Sequence, residues 1–167
     1  MIRDLGQALE VDQVLTERQV FRHYDTTLET CRDAGLTVTK AFIAPTARSS
    51  SKRWVNFVSL EPLELEGFEL RHLAGIAEMR HVLQAKPRDW QVLGHAAETS
   101  PDAVWQRGLE VWAVEYDAGS YTLKTVARKA RAFAVGFDGQ VWGVASSERV
   151  NVIQRNIDVN IILIRSF

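Results

Sequence analysis

Three short polar runs carry the side chains with the greatest chemical capacity. Phe21-Arg22-His23-Tyr24-Asp25-Thr26-Thr27 places an imidazole, a guanidinium and three hydroxyls at the expected end of a strand, just before a capped helix. Phe57-Val58-Ser59-Leu60 closes a second strand with a small hydroxyl residue, and Ser146-Ser147-Glu148-Arg149-Val150 opens a late strand with a carboxylate. Together they supply the groups from which a binding or transfer site is assembled. Familiar motifs are missing: no Gly-rich phosphate loop, no GxGxxG and no HExxH. His23, His72, His81 and His95 stand in no i, i+3 or i, i+4 relation, which argues against a helix-borne metal site. Cys31 would need a nearby base and partial exposure to act as a nucleophile, and a buried small hydrophobe is the favoured reading.

The elements that must position these groups follow from pattern. Leu5, Leu9 and Leu15 with Ala8 and Val11 predict a helix near the start, and β-branched and aromatic residues predict a strand over 20–24. Thr26 and Glu29 are spaced as a capping box for a short helix that stops at Gly35. Residues 37–53 break periodicity at Pro45 and at Ser49-Ser50-Ser51 and carry Lys40, Arg48, Lys52 and Arg53 without an acid. They read as a long mobile loop before a strand from Trp54. Leu70, Leu73, Ile76, Met79 and Leu83 predict a helix that Pro87 ends. Trp90–Leu93 suggests a short strand, and Ser100-Pro101-Asp102 a further helix start.

Six strands are predicted in the last third: 109–116, 121–126, 130–137, 140–145, 150–153 and 159–164. Asp138-Gly139 is read as a hairpin turn. The expected fold is a single α+β domain over residues 1–167, with a mostly antiparallel split sheet and short helices in the first two thirds. A chain of 167 residues with 46% hydrophobic and 25% charged residues can bury a core, and its net charge of −1 argues against a protein that simply coats nucleic acid. The start lacks an apolar leader, and the longest apolar run, Ile161–Ile164, is too short to span a bilayer; the reading is a cytoplasmic protein without membrane contact.

The order of strand, short helix, basic loop, second strand and late Glu resembles the ADP-ribosyltransferase fold, in the version shared by poly-ADP-ribose polymerases and DNA-modifying toxins of the DarT kind. The matching runs are Val20–Thr27, Ala34-Gly35-Leu36, Phe57-Val58-Ser59 and Glu148–Ile153, with Ile161–Ile164 as the final strand. The resemblance implies a toxin or effector that takes NAD as substrate and transfers ADP-ribose to a protein or nucleic acid. It implies Glu148 and His23 as catalytic residues, with Glu148 stabilising the oxocarbenium-like ribose and His23 on the adenosine ribose. Cofactor contacts would come from Arg22, Thr26, Ser59, Phe57 and Arg53, with Arg22, Lys52 or Arg53 on the pyrophosphate and Phe57 or Trp54 beside the nicotinamide.

Each of these residues also has a structural role open to it: His23 as a hydrogen-bonding residue, Glu148 as a solvated edge charge. A second reading is a non-catalytic binding or inhibitor protein of a phage or mobile element. It would act on a target or neutralising protein through the acidic stretch Glu61–Glu69 and exposed Trp residues. A third is nucleic-acid binding through Lys124, Arg128, Lys129 and Arg131, although a β-ribbon would split these cations between its faces.

Overall fold

A computed structural model of the chain describes residues 2–94 and 98–165; His95 therefore lies outside the described residues. The first sheet belongs to the N-terminal third. Helix α1 (Ile2–Asp12) leads into the short strand β1 (Leu15–Thr16), helix α2 (Glu17–Tyr24) and helix α3 (Leu28–Asp33). Strands β2 (Thr37–Ile43) and β3 (Arg53–Ser59) then form a hairpin. The antiparallel order is β1-β3-β2, with Phe42 opposite Trp54 and Lys40 opposite Asn56.

Two expectations are corrected here. Residues 20–24 are helical, not a strand, because a capping box precedes them. The Thr16 hydroxyl accepts the Gln19 N–H at 3.2 Å, and Gln19 Oε1 accepts the Thr16 N–H at 2.8 Å. That local pair outweighs the β-propensity of Val20, Phe21 and Tyr24. The span 37–53 is not one loop either: residues 37–43 pair with β3 along their whole length, leaving 44–52 as the connection. The short helix is where it was expected, with Thr27 rather than Thr26 as its cap and Gly35 at φ +80° after its end.

The second sheet is mixed, in the order β4-β5-β6-β7-β8. Strands β4 (Trp90–Val92), β5 (Ala103–Arg107) and β6 (Glu110–Asp117) run antiparallel, while β7 (Gly139–Val144) and β8 (Asn160–Leu163) run parallel to β6. Parallel neighbours need crossovers. Helix α5 (Leu123–Gly136) and helix α6 (Ser147–Gln154) supply them, so helices are not confined to the first two thirds. The strands expected at 121–126, 130–137 and 150–153 are these helices. Thr122 and Ser146 cap them, and Val126, Ala130, Phe133 and Ile153 fall at helical spacing on the buried side. Asp138-Gly139 joins α5 to β7 and makes no hairpin. A Cβ on Gly139 would lie 2.5 Å from the Trp112 indole, which explains the glycine. Residues 100–102 lead into β5, not a helix.

Helix α4 (Gly67–Val82) lies between the two sheets. Ile76 and Met79 pack on Val114, Tyr116 and Val141 of the second sheet; Leu70 and Ala74 pack on Ile43 and Phe57 of the first; Ala77 meets Leu5, Leu15 and Val58. The opposite face of the second sheet carries Ala113, Trp142 and Val144, covered by Val126, Phe133 and Ile153 of α5 and α6. Close approach of α4 to the second sheet requires Gly75, where a Cβ would sit 2.1 Å from the Tyr116 ring. Gly75→Ala is expected to destabilise the protein by about 1–3 kcal/mol through overpacking, whereas Gly136→Ala, in open space, costs nothing. Urea unfolding of both variants checks this, and equal midpoints would contradict the packing described.

Candidate functional site

The polar residues of α2 are committed to α4. The Glu78 carboxylate is buried and accepts from Gln19 Nε2 at 3.0 Å and Arg22 Nη2 at 2.7 Å, with His23 Nε2 at 3.2 Å. Burial alone would raise its pKa, but the bonds from His23 and Gln19 and the Arg22 charge hold it below the ordinary value. The His23 ring stacks on His81 with centroids 4.0 Å apart and planes 9° from parallel. Burial, and then the Arg80 charge, push the His81 imidazole down to about 3, so it is neutral at physiological pH. One residue away, Arg80 Nε donates to Asp12 Oδ1 of α1 at 2.7 Å.

The expected site residues are thereby separated. His23 and Arg22 sit on Glu78 in a helix rather than at a strand end. Thr26 is buried and donates to the Tyr24 carbonyl at 2.8 Å; Ser59 is buried and donates to the Glu61 carbonyl at 2.6 Å; Phe57 is in the core. Arg53 is exposed at the start of β3. Glu148 is exposed in the first turn of α6, not before a strand. It lines a cavity of about 260 Å3 with Arg48 and Ser49 of the hairpin loop and with Ser146 and Arg149. That cavity is lined by no residue of α2 and by neither Phe57 nor Ser59. The structure brings Glu148 to the basic loop and leaves His23 and Ser59 elsewhere.

A buried charge cluster that the sequence reading did not single out lies on the face of the second sheet covered by α5 and α6. Lys129 Nζ is 2.7 Å from Glu115 Oε1, which also accepts from the Tyr121 hydroxyl at 2.8 Å. Arg149 Nε donates to Asp117 Oδ2 at 2.7 Å. Asp102 Oδ2 accepts the Tyr116 N–H at 2.8 Å. Burial, and then the neighbouring Asp102 charge, push the Glu115 carboxyl above the ordinary value, against the pull of Lys129. The signal available in sequence was an acid at alternate positions, Val114-Glu115-Tyr116-Asp117, inside an otherwise apolar strand. The basic run of 124–131 lies on α5, with Lys129 turned inward onto Glu115 and Lys124 and Arg131 exposed, rather than on a ribbon. Among the described residues, no group of three or more His, Cys, Asp or Glu side chains could hold a metal ion. Here each buried cation fastens a helix to the sheet.

Arg107 over the Trp105 and Trp112 rings forms one exposed surface with combined charge and aromatic character; another is on the N-terminal side. A shallow groove is lined by Arg18, Arg53, Trp54 and Asn56, and a second by Arg18, Phe21, Thr27 and Leu28. They share Glu17 and Arg18, and so form one track from the hairpin, along α2, to the start of α3. Glu17 is itself engaged by Asn56 Nδ2 at 2.7 Å. The segment 37–60, which holds the hairpin, contains four cations and no acid. Within the acidic stretch 61–69, Glu69 Oε2 accepts the Glu66 N–H at 2.8 Å in a capping box for α4, while Glu61 and Glu64 are exposed. Among the described residues, no helix is long and apolar enough to cross a membrane. No family model, curated protein or solved structure matches the chain.

The neutral His81 gives a pH dependence of definite sign. The unfolded chain binds a proton near the ordinary value of 6.5, whereas folded His81 resists it down to about 3. The stability it contributes is complete above about 6.5 and is lost as pH falls towards about 3, at up to about 1.4 kcal/mol per pH unit. His81→Gln is expected to flatten the acid limb of a stability–pH curve from about pH 6.5 to about 5. Chemical denaturation across that range reads it, and a curve as steep as that of the parent would place the acid sensitivity in other groups.

Proposed function

We propose that the protein is a non-catalytic binder of double-stranded DNA that docks through α2, α3 and the β2–β3 hairpin. The observation that supports this most is the track formed by the two grooves, with Arg18 common to both, Arg53 and Trp54 at one end and Thr27, the cap of α3, at the other. Two helices joined by a three-residue turn are the parts of a helix-turn-helix, in which the second helix enters the major groove while neighbouring cations hold the phosphates. Asp25, at φ 47°, makes the sharp exit from α2, and the Thr27 cap starts α3 at once.

On α3 the outward residues are Glu29, Thr30, Arg32 and Asp33, and Thr30 and Arg32 have the donor types that read base edges. A B-form major groove admits a helix, whereas the major groove of duplex RNA is too deep and narrow, so DNA is the duplex that fits. The Arg22–Glu78 and Gln19–Glu78 bonds hold α2 on α4 and so set the direction in which α3 is presented. ADP-ribosyl transfer would need His23, Ser59 and Glu148 around one cleft, and with these residues apart no observation favours it as a second reading.

Fluorescence anisotropy with a labelled duplex of about two helical turns tests the proposal. Binding is expected at about 50 mM salt and should weaken steeply towards about 200 mM. The double variant Arg18→Gln, Arg53→Gln should lower the slope of log affinity against log salt by about 2. Absence of binding at low salt, or an unchanged slope in the variant, would overturn the assignment.

A further inference from the structure

We propose that the outer part of the β2–β3 hairpin is a stacking platform for unpaired nucleobases, so that the preferred ligand is a duplex with a single-stranded extension. This rests on the DNA-binding reading above and specifies its substrate. Phe42 and Trp54 face each other across the hairpin in register. Their ring centroids are 5.1 Å apart, and they are 53% and 61% exposed. Neither belongs to the core: Ile43 and Phe57 of the same two strands are buried against α4, while Phe42 and Trp54 point the other way. Paired large aromatics left in water mark a contact surface.

The charge around them identifies the partner. Lys40 Nζ lies 5.3 Å from the centre of the Trp54 ring, Arg53 precedes Trp54 in the chain, residues 37–60 include no carboxylate, and the one carboxylate lining the Trp54 groove, Glu17, accepts from Asn56 Nδ2 at 2.7 Å. A nucleobase offers a π-face and arrives with a phosphate, which matches an aromatic pair bordered by cations. Bases inside an intact duplex are already stacked and have no free face, so the platform serves only a strand that has left the helix. Its position agrees with this, because Trp54 and Arg53 line the same groove as Arg18, at one end of the duplex track.

The test compares one blunt duplex with the same duplex carrying a single-stranded extension of several nucleotides, using the full chain and its Trp54→Ala and Trp54→Phe variants. The parent is expected to bind the extended duplex about tenfold more tightly than the blunt one, with quenching of tryptophan emission. Trp54→Ala should lose that gain, so that the variant binds the extended duplex no more tightly than it binds the blunt one, while Trp54→Phe keeps most of it. The side chain is exposed, so both variants should melt like the parent. Equal affinity for the two DNAs, or a gain that survives Trp54→Ala, would overturn the platform and leave duplex binding intact. A loss on both DNAs alike would make Trp54 a duplex contact and overturn it as well. Binding to neither DNA would bring down both proposals.

Discussion

The neutralisation of Glu78 and Arg80 is the constraint on which the rest of this structure depends. Both charges lie in the buried stretch of α4, between the two sheets, where an unpaired ion would cost several kcal/mol. Glu78 draws in Gln19, Arg22 and His23 of α2; Arg80 draws in Asp12 of α1. Such pairs add little net stability over apolar packing, yet removing one partner leaves a buried charge and costs about 3–5 kcal/mol. Their effect is therefore on arrangement. An apolar helix surface would tolerate sliding of α1 and α2, whereas a carboxylate that must receive three donors fixes where α2 lies.

The same device recurs on the far side of the second sheet. Glu115 and Asp117 occupy the face that α5 and α6 cover, and each takes one cation from the covering helix, Lys129 and Arg149. The two sheets are joined directly as well. The Ala47 N–H in the hairpin loop donates to the Ala118 carbonyl at 2.8 Å, and Arg71 of α4 donates to the Ala44 carbonyl at 3.1 Å. The hairpin is thus anchored at its loop end and paired along its length, and Phe42 and Trp54 sit on a braced element. A ligand meeting them would find the platform already ordered, which limits the entropy lost on binding.

What the sequence disclosed follows the range of the forces involved. The stripe Leu70, Leu73, Ile76, Met79 and the stop at Gly35 were legible because both are local: one is an apolar period, the other a backbone conformation that glycine adopts at no cost. Val20–Tyr24 was misread because its composition suits a strand, while the deciding capping pair, Thr16 and Gln19, stands just before it. Residues 121–137 were misread for a related reason. Ala130, Ala132 and Ala134 alternate with longer residues, yet Thr122 caps a helix and Val126, Ala130 and Phe133 give it an apolar side. Partners 50 to 70 positions apart, such as Gln19 with Glu78 and Asp12 with Arg80, leave no pattern in one sequence, so the purpose of His23 and Arg22 stayed hidden.

The split between inward and outward polar groups separates structural from functional chemistry here. Two strongly perturbed titratable groups, His81 and Glu115, are buried, and the structure already uses them: His81 lies against Arg80 and His23, Glu115 against Lys129 and Tyr121. Strong perturbation is a useful sign of an active site when the group borders a cleft with spare bonding capacity. Neither His81 nor Glu115 lines the cavity beside Glu148 or either of the two N-terminal grooves. The exposed aromatics are the reverse case. Phe21, Phe42 and Trp54 contribute little to the buried clusters, and transferring them to water is a cost that folding does not require. Side chains that fold integrity does not explain, gathered beside Arg18, Lys40 and Arg53, suit the proposed recognition surface on the N-terminal face, which the ion-paired interior does not.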